Sequence, residues 1–435
     1  MSSFLTAFLF VAALTSTAFG QTNHSDLIKS LPGEPHPGVA AKQYSGYLKI
    51  SDNKSLHYWF IESNQEEDYP FILWLTGGPG CSSLDALLSQ TGPYLVSDDG
   101  NLTVNPYSWS QFANVLYLEA PAGVGFSFSR NVPTHYNDSE IVGDIIHGLH
   151  IFLKNHSEHR NNPFYIFAEG YASVQGIPLA KHLLSDWEIR LAGLIIEGGH
   201  IDRKENMNSI IDYAYYHGAI GLSLWDSLHE YCCDNETGKC SYYESNSSNC
   251  MDYMASVQET LDQLNLYDYL DYCKLPPHLE VEKLQAGFSH LHCINQTAET
   301  VYLNRIDVKR AIHVNEDFVS QWTPCSETVS GLYQYSNKSY LSNITQLAQE
   351  TRIAFVTGTE DMVFNYLGTQ NSIESLNLRI SSAWKYWLHN DAIAGFSTVY
   401  NESLSLFTVN GAGHYVARSQ AGPLKSLVEA FVGGK

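Results

Sequence analysis

The stretch "PFYIFAEGYAS", residues 163–173, decides the architecture. A short apolar run, Phe164 to Phe167, reaches a turn of small residues and leads into a helix-capable segment. Strand, sharp turn, helix is the arrangement that lifts a nucleophile to the tip of a turn at the carboxyl end of a sheet strand. The tip residue here is Gly170, which has no side chain to attack with.

Five further runs share the character of 164–168: "FILWL" (71–75), "ANVLYLEA" (113–120), "LAGLIIEGG" (191–199), "RIAFVTG" (352–358) and "SLFTVNG" (405–411). Longer amphipathic segments such as "DSEIVGDIIHGLHIFLKNH" (138–156) separate several of them. Buried strands alternating with helices predict an α/β fold, with functional groups at the strand carboxyl ends. From about 201 to 299 the text turns rich in Tyr, Asn and Cys and loses such runs, as a cap inserted over the sheet does. The expected organisation is a signal peptide at 1–20, core at 21–200, cap at 201–299 and core again at 300–435.

The chain has 435 residues, 44 % of them hydrophobic, and a formal net charge of −22. Such acidity argues against a nucleic-acid surface, which needs clustered Lys and Arg. The first twenty residues carry no charge and an apolar run from Phe4 to Leu14, with small residues at Ala18 and Gly20. That reads as a secretory signal cleaved before Gln21; the run is short for a membrane anchor. Eleven glycosylation sequons, from Asn23 to Asn401, fit export. So do eight cysteines, six of them within 232–293; without a C-x-x-C pair, disulfides are favoured over zinc. The helical pairs His147/His150 and His156/His159 have metal-ligand spacing but lack a third ligand at hand, so they are read as a solvated helix face.

Four motifs carry the chemistry. "WLTGGPGCSS" (74–83) places backbone N–H groups on a glycine turn after a strand, which suits an oxyanion hole. "EAPAGVGFSFS" (119–129), "VTGTEDMVFNYLG" (356–368) and "VNGAGHYVARSQA" (409–421) follow. Elbow, acid, histidine is the chain order of α/β-hydrolase triads. In these motifs, and in "AYYHGAIGLSLWDSLHEYCC" (214–233), the sequence resembles the serine carboxypeptidases of peptidase family S10, and within them the lysosomal, cathepsin A-like branch.

The resemblance implies an α/β-hydrolase fold with a central mixed, mostly parallel sheet and an inserted disulfide-rich cap. It implies removal of C-terminal residues from peptides at acid pH by a Ser–Asp–His triad, with no metal or cofactor. It puts the acid at Asp361, the base at His414 and the oxyanion N–H groups at Gly78 and Tyr171. The substrate carboxylate is expected at Thr76, Gln90 and Glu169, and the disulfides at Cys81–Cys325, Cys232–Cys250, Cys233–Cys240 and Cys273–Cys293. Homodimers and the stabilising of other proteins also belong to this branch.

At the nucleophile the family's Gly-Glu-Ser-Tyr-Ala-Gly is replaced by Ala168-Glu169-Gly170-Tyr171-Ala172-Ser173. Other departures accompany it: Thr76 and Gln90 in the clamp, Thr359, Ala417 and Ser419, and "IIEGGHID" (195–202), which lacks the family's Gly-Asn-Gly turn. The excised basic stretch of lysosomal relatives is reduced to "LQAGFSHLHC" (284–293). The expectation is a secreted or lysosomal protein that has lost peptidase activity and works by binding peptide C-termini or a protein client. Two readings stand beside it: an active carboxypeptidase using Ser173, and a structural or storage glycoprotein. Ser173 is displaced roughly 4.5 Å along a helix from the elbow tip, far outside the tolerance of near-attack geometry.

Overall fold

A computed structural model describes residues 24–63, 69–131, 133–234, 236–272, 293–336 and 338–434. The signal segment, Cys273 and most of 284–293 lie outside them. The strands are β1 (Gln43–Lys49), β2 (Lys54–Ile61), β3 (Phe71–Gly77), β4 (Tyr94–Val96), β5 (Leu102–Val104), β6 (Asn114–Leu118) and β7 (Phe128–Ser129). They continue with β8 (Phe164–Gly170), β9 (Leu191–Glu197), β10 (Arg352–Gly358), β11 (Ile380–His389), β12 (Ala392–Tyr400) and β13 (Leu404–Val409).

One sheet runs β1-β2-β6-β3-β8-β9-β10-β13-β12-β11, with β7 on the side of β2; β4 and β5 form a separate hairpin. The six strands from β6 to β13 in that order are parallel, and they are the six apolar runs of the sequence. Both flanks are antiparallel. Those flanking strands are built from hairpins, β1 with β2 and β11 with β12 and β13, and polar residues interrupt their apolar runs.

Apolar residues cover both faces of the central strands. Leu73, Leu116, Ile166 and Phe355 pack on one side. Ile72, Trp74, Val115, Phe167 and Val356 pack on the other. Strands buried on both sides read as continuous hydrophobic text, which explains why they were legible. Each fully buried Leu, Ile or Phe contributes about 1.5–3 kcal/mol.

The helix Asp138–Asn155 starts on Asn137, whose side chain accepts the Glu140 N–H at 3.0 Å. Ile141, Val142, Ile145, Leu149 and Phe152 form its buried stripe. His156 and His159 are not on a solvated helix face: they are only 7 % and 9 % exposed. The helix stops at Asn155, and the chain then turns inward, stacking His156 on Phe152 at 4.5 Å and setting His159 edge-on to Phe60 at 5.1 Å. His147 is exposed, and His150 bonds Asp186 and Glu188, each at 3.0 Å.

Between β9 and β10 the described residues are helical, with helices including Arg203–Tyr216, Leu222–Cys232 and Ser248–Leu261. Ile211, Tyr213, Leu228 and Val257 form a core of their own there, joined by Met362. Cys232–Cys250 and Cys233–Cys240 are bonded within it, and Cys81–Cys325 ties the glycine turn to a distant segment. Cys293 is disulfide-bonded as well; the expected partner, Cys273, falls outside the described residues. Among the described residues no helix is long and apolar enough to cross a membrane.

Candidate active site

β8 is buried along its length and ends on Gly170, which adopts φ +63°, a region that glycine enters without steric cost. The helix Ser173–Leu183 starts three residues later, so the strand–turn–helix elbow is formed. Its neighbour across the sheet is Gly77 on β3. A Cβ on Gly77 would stand 2.5 Å from the Ala172 nitrogen, so only glycine lets the two turns approach this closely.

His414 lies on the turn after β13 and Asp361 on the turn after β10. The His414 Nδ1–H donates to Asp361 Oδ2 at 2.9 Å, which leaves Nε2 aimed at Gly170. Asp361 is fully buried, and its other oxygen accepts the Phe364 N–H at 3.0 Å. Burial alone pushes the His414 imidazole down. The Asp361 charge and hydrogen bond, with the Glu169 charge, outweigh it and leave the group raised. The His414 ring is enclosed by Tyr267, Tyr415 and Phe364, at 5.1, 4.9 and 5.7 Å between centroids. Its backbone N–H donates to the Tyr267 carbonyl at 2.6 Å, so the helical region closes over the histidine.

Thr76, Gln90 and Glu169, the three residues expected to meet a substrate carboxylate, come together. Glu169 Oε1 accepts from Gln90 Nε2 at 2.9 Å, and Oε2 accepts from Thr76 Oγ1 at 2.8 Å. Thr76 in turn accepts from Trp74 Nε1 at 2.9 Å, which directs its own proton to Glu169. Burial raises the Glu169 carboxyl above the usual carboxylate range, against the opposing effects of Gln90, His414 and Thr76.

The two N–H groups implied for the oxyanion differ in standing. Gly78 lies on the turn after β3. The Tyr171 N–H is turned back onto the Gly77 carbonyl at 3.1 Å, so an oxyanion would have to compete for it. Ser173 is fully buried, and its Oγ meets the Gly170 carbonyl at 2.9 Å, the His200 carbonyl at 3.1 Å and the His200 N–H at 2.8 Å. It is a staple between the elbow and the turn after β9.

Glu197, the acid that ends the apolar run "LIIE", was not among the expected site residues, although its place at a strand carboxyl end was a usable signal. It pairs in register with Glu169, and its Oε1 accepts the Val416 N–H at 2.8 Å. Its Oε2 is buried without a partner. Burial and the Glu169 charge drive its carboxyl well above the ordinary range. Beside it, Gly198 packs on the His414–Asp361 pair: a Cβ there would stand 2.8 Å from His414 Nδ1.

The serine carboxypeptidase family profile covers residues 32–434. This chain belongs to the serine carboxypeptidase family. The lysosomal protective protein of Mus musculus is 34 % identical over 426 residues, covering 87 % of this chain and 89 % of that protein. A serine carboxypeptidase of Caenorhabditis elegans is 31 % identical, covering 90 % of each. Among solved structures, the prohormone-processing carboxypeptidase Kex1 from Saccharomyces cerevisiae superposes with a TM-score of 0.79 at 20 % identity, covering 94 % of this chain and 96 % of that one. That likeness shows the α/β-hydrolase fold. In this member of the serine carboxypeptidase family, Asp361 and His414 are in contact and His414 Nε2 faces Gly170.

Proposed function

We propose that this protein is a serine carboxypeptidase homologue without peptidase turnover, working by holding a peptide end or stabilising a protein client. One observation carries the reading: His414 Nε2 lies 2.9 Å from where a Cβ on Gly170 would stand, and glycine supplies none. No acyl-enzyme can form at that point. Ser173, the alternative nucleophile, has its hydroxyl engaged by the backbone of Gly170 and His200. Asp361 and His414 stay paired because removing either would strand the other in the interior, at about 1–3 kcal/mol.

The half-buried rings of Tyr267, Phe364 and Tyr415 around His414, with Glu169 near the same histidine, suit a peptide end. Relatives that include a lysosomal protein, together with the charge-free, apolar segment at 1–20, support passage through the secretory pathway, with a lysosomal or extracellular destination. The test is hydrolysis of blocked dipeptides from about pH 4.5 to about pH 7.5 by the natural protein and by Gly170→Ser, with peptide binding measured on the same samples. Binding without turnover in the natural protein supports the reading. Turnover that survives in Gly170→Ala and disappears in Ser173→Ala overturns it.

A further inference from the structure

Two histidines that the elbow does not use are buried together at the other end of the sheet. Phe71 and Phe164 begin β3 and β8 and stack at 5.3 Å, whereas Gly170 ends β8, about 20 Å away at about 3.3 Å per residue. His156 and His159 pack at the Phe71 end. Both touch Phe60, at 5.5 and 5.1 Å between centroids, and His159 also meets Phe71 at 6.1 Å. His156 lies flat on Phe152 and edge-on to Tyr44 at 5.2 Å.

Neither ring has a good place for a second proton. The Asn162 amide nitrogen donates to the Tyr69 carbonyl at 2.8 Å, so its Oδ1 is the acceptor for the His159 Nδ1–H at 3.2 Å. A further proton on His159 would go to Nε2, which is buried with no hydrogen-bond partner. His156 Nδ1 stands 3.7 Å from Glu158 Oε1, beyond hydrogen-bond reach.

The surrounding charges do not make up for burial. Burial lowers both imidazoles below the ordinary histidine range, although Glu158 and Glu62, with Asp26 at His156, pull them up. Lys42 adds to the lowering at His159, and the His159 ring adds to it at His156. The acids are engaged or solvated: Glu158 is exposed, Glu62 is met by Lys42 at 3.5 Å and the Tyr44 hydroxyl at 3.2 Å, and Asp26 accepts from the Tyr58 hydroxyl at 2.8 Å. Arg160, the next cation along, donates its Nε–H to the Leu153 carbonyl at 3.1 Å.

Tyr44 and Tyr58, whose rings border His156, also fasten the amino-terminal segment. Asp26 holds the Tyr58 hydroxyl, Leu27 bridges to Tyr44, and the Ile28 N–H donates to the Gln43 carbonyl at 2.8 Å.

We propose that the His156–His159 pair is an acid-operated latch: at neutral pH it holds the segment 24–31 and the turn 156–162 against the sheet edge, and acid releases both while the central strands stay folded. It does not depend on the peptide reading. In the open form each imidazole titrates near its unfolded value of about 6.5, above its closed value, so the open form binds more protons. The closed form therefore loses stability as pH falls through about 6.5, the opposite sign to Glu197.

Hydrogen–deuterium exchange of the full-length protein at about pH 7.5 and about pH 5, corrected for the intrinsic pH dependence of exchange, tests it. Amides of 24–31 and 156–162 are expected to open at least about tenfold more often at the lower pH, with β3 and β8 unchanged. His156→Phe keeps a ring on Phe152 and His159→Gln keeps a donor for Asn162; the double variant should abolish the difference. Glu158→Gln, at an exposed position, removes a charge that favours the protonated rings, and should raise opening at about pH 6 at least about threefold. Four results overturn the proposal: equal protection at both pH values, acid opening that persists in the double variant, an unaltered profile in Glu158→Gln, or loss of protection that spreads equally to β3 and β8.

Discussion

His414 Nε2 stands 2.9 Å from the point that a Cβ on Gly170 would occupy, with the Gly77 carbonyl 3.0 Å from the same point. The base has therefore settled closer than any real side chain would allow. Restoring serine is more than adding a hydroxyl, because His414 or the elbow must move by a few tenths of an ångström, and position 170 keeps a positive φ that strains any L-residue.

Gly170→Ser is accordingly expected to gain labelling by a fluorophosphonate and measurable esterase turnover, but to fall short of a complete site. With the Tyr171 N–H bonded to Gly77, the shortfall should be like losing one oxyanion donor, about 10²–10³ in kcat. Burst kinetics with a nitrophenyl ester measure it. A variant as fast as an intact carboxypeptidase would show that the Tyr171 N–H is released during reaction.

Ser173→Ala should leave catalysis at its starting level and cost stability. The change strands the buried His200 N–H and two carbonyls, a loss of about 1–3 kcal/mol. Urea denaturation reads it as a lower midpoint at constant slope. A variant that unfolds like the natural protein would mean that the staple carries no load.

Glu197 predicts a pH dependence. Its folded carboxyl is raised above the unfolded value near 4.3, so the folded state binds the extra proton. Stability from this group is then full below about pH 4.3 and declines as pH rises toward the folded value. Glu197→Gln keeps an acceptor for the Val416 N–H and removes the ionisation. The variant should match the natural protein near pH 4.5 and melt at least about 2 °C higher near pH 7.5. Equal melting differences at both pH values would rule out a raised carboxyl.

Removing Cys81–Cys325, which closes a separation of 244 residues, should cost about 3–5 kcal/mol and loosen the glycine turn at 77–80. Denaturation of the double Cys→Ser variant measures the first effect. The second appears as weaker peptide binding, which tests whether that turn belongs to the binding surface.

The six central strands were legible because they are buried on both faces and therefore read as unbroken apolar runs. The flanking strands β1, β2, β11 and β12 were not, although they pair as local hairpins, because polar residues interrupt β1 and β2 and β11 is largely exposed. His156 and His159 illustrate the same limit: their spacing matched a helix, but where the helix stops decides which way they face.

Residue identity alone determined that position 170 offers no nucleophile, since no fold can supply a side chain that glycine lacks. The six apolar runs, alternating with helix-capable segments, were likewise enough to name an α/β architecture. Only the tertiary structure decided that Ser173 is a backbone staple, that the Tyr171 N–H is turned onto Gly77, and that Glu197 lies behind the histidine. Each depends on a hydrogen bond or burial created when segments dozens to hundreds of residues apart pack together, and local sequence carries no direct signal for such contacts.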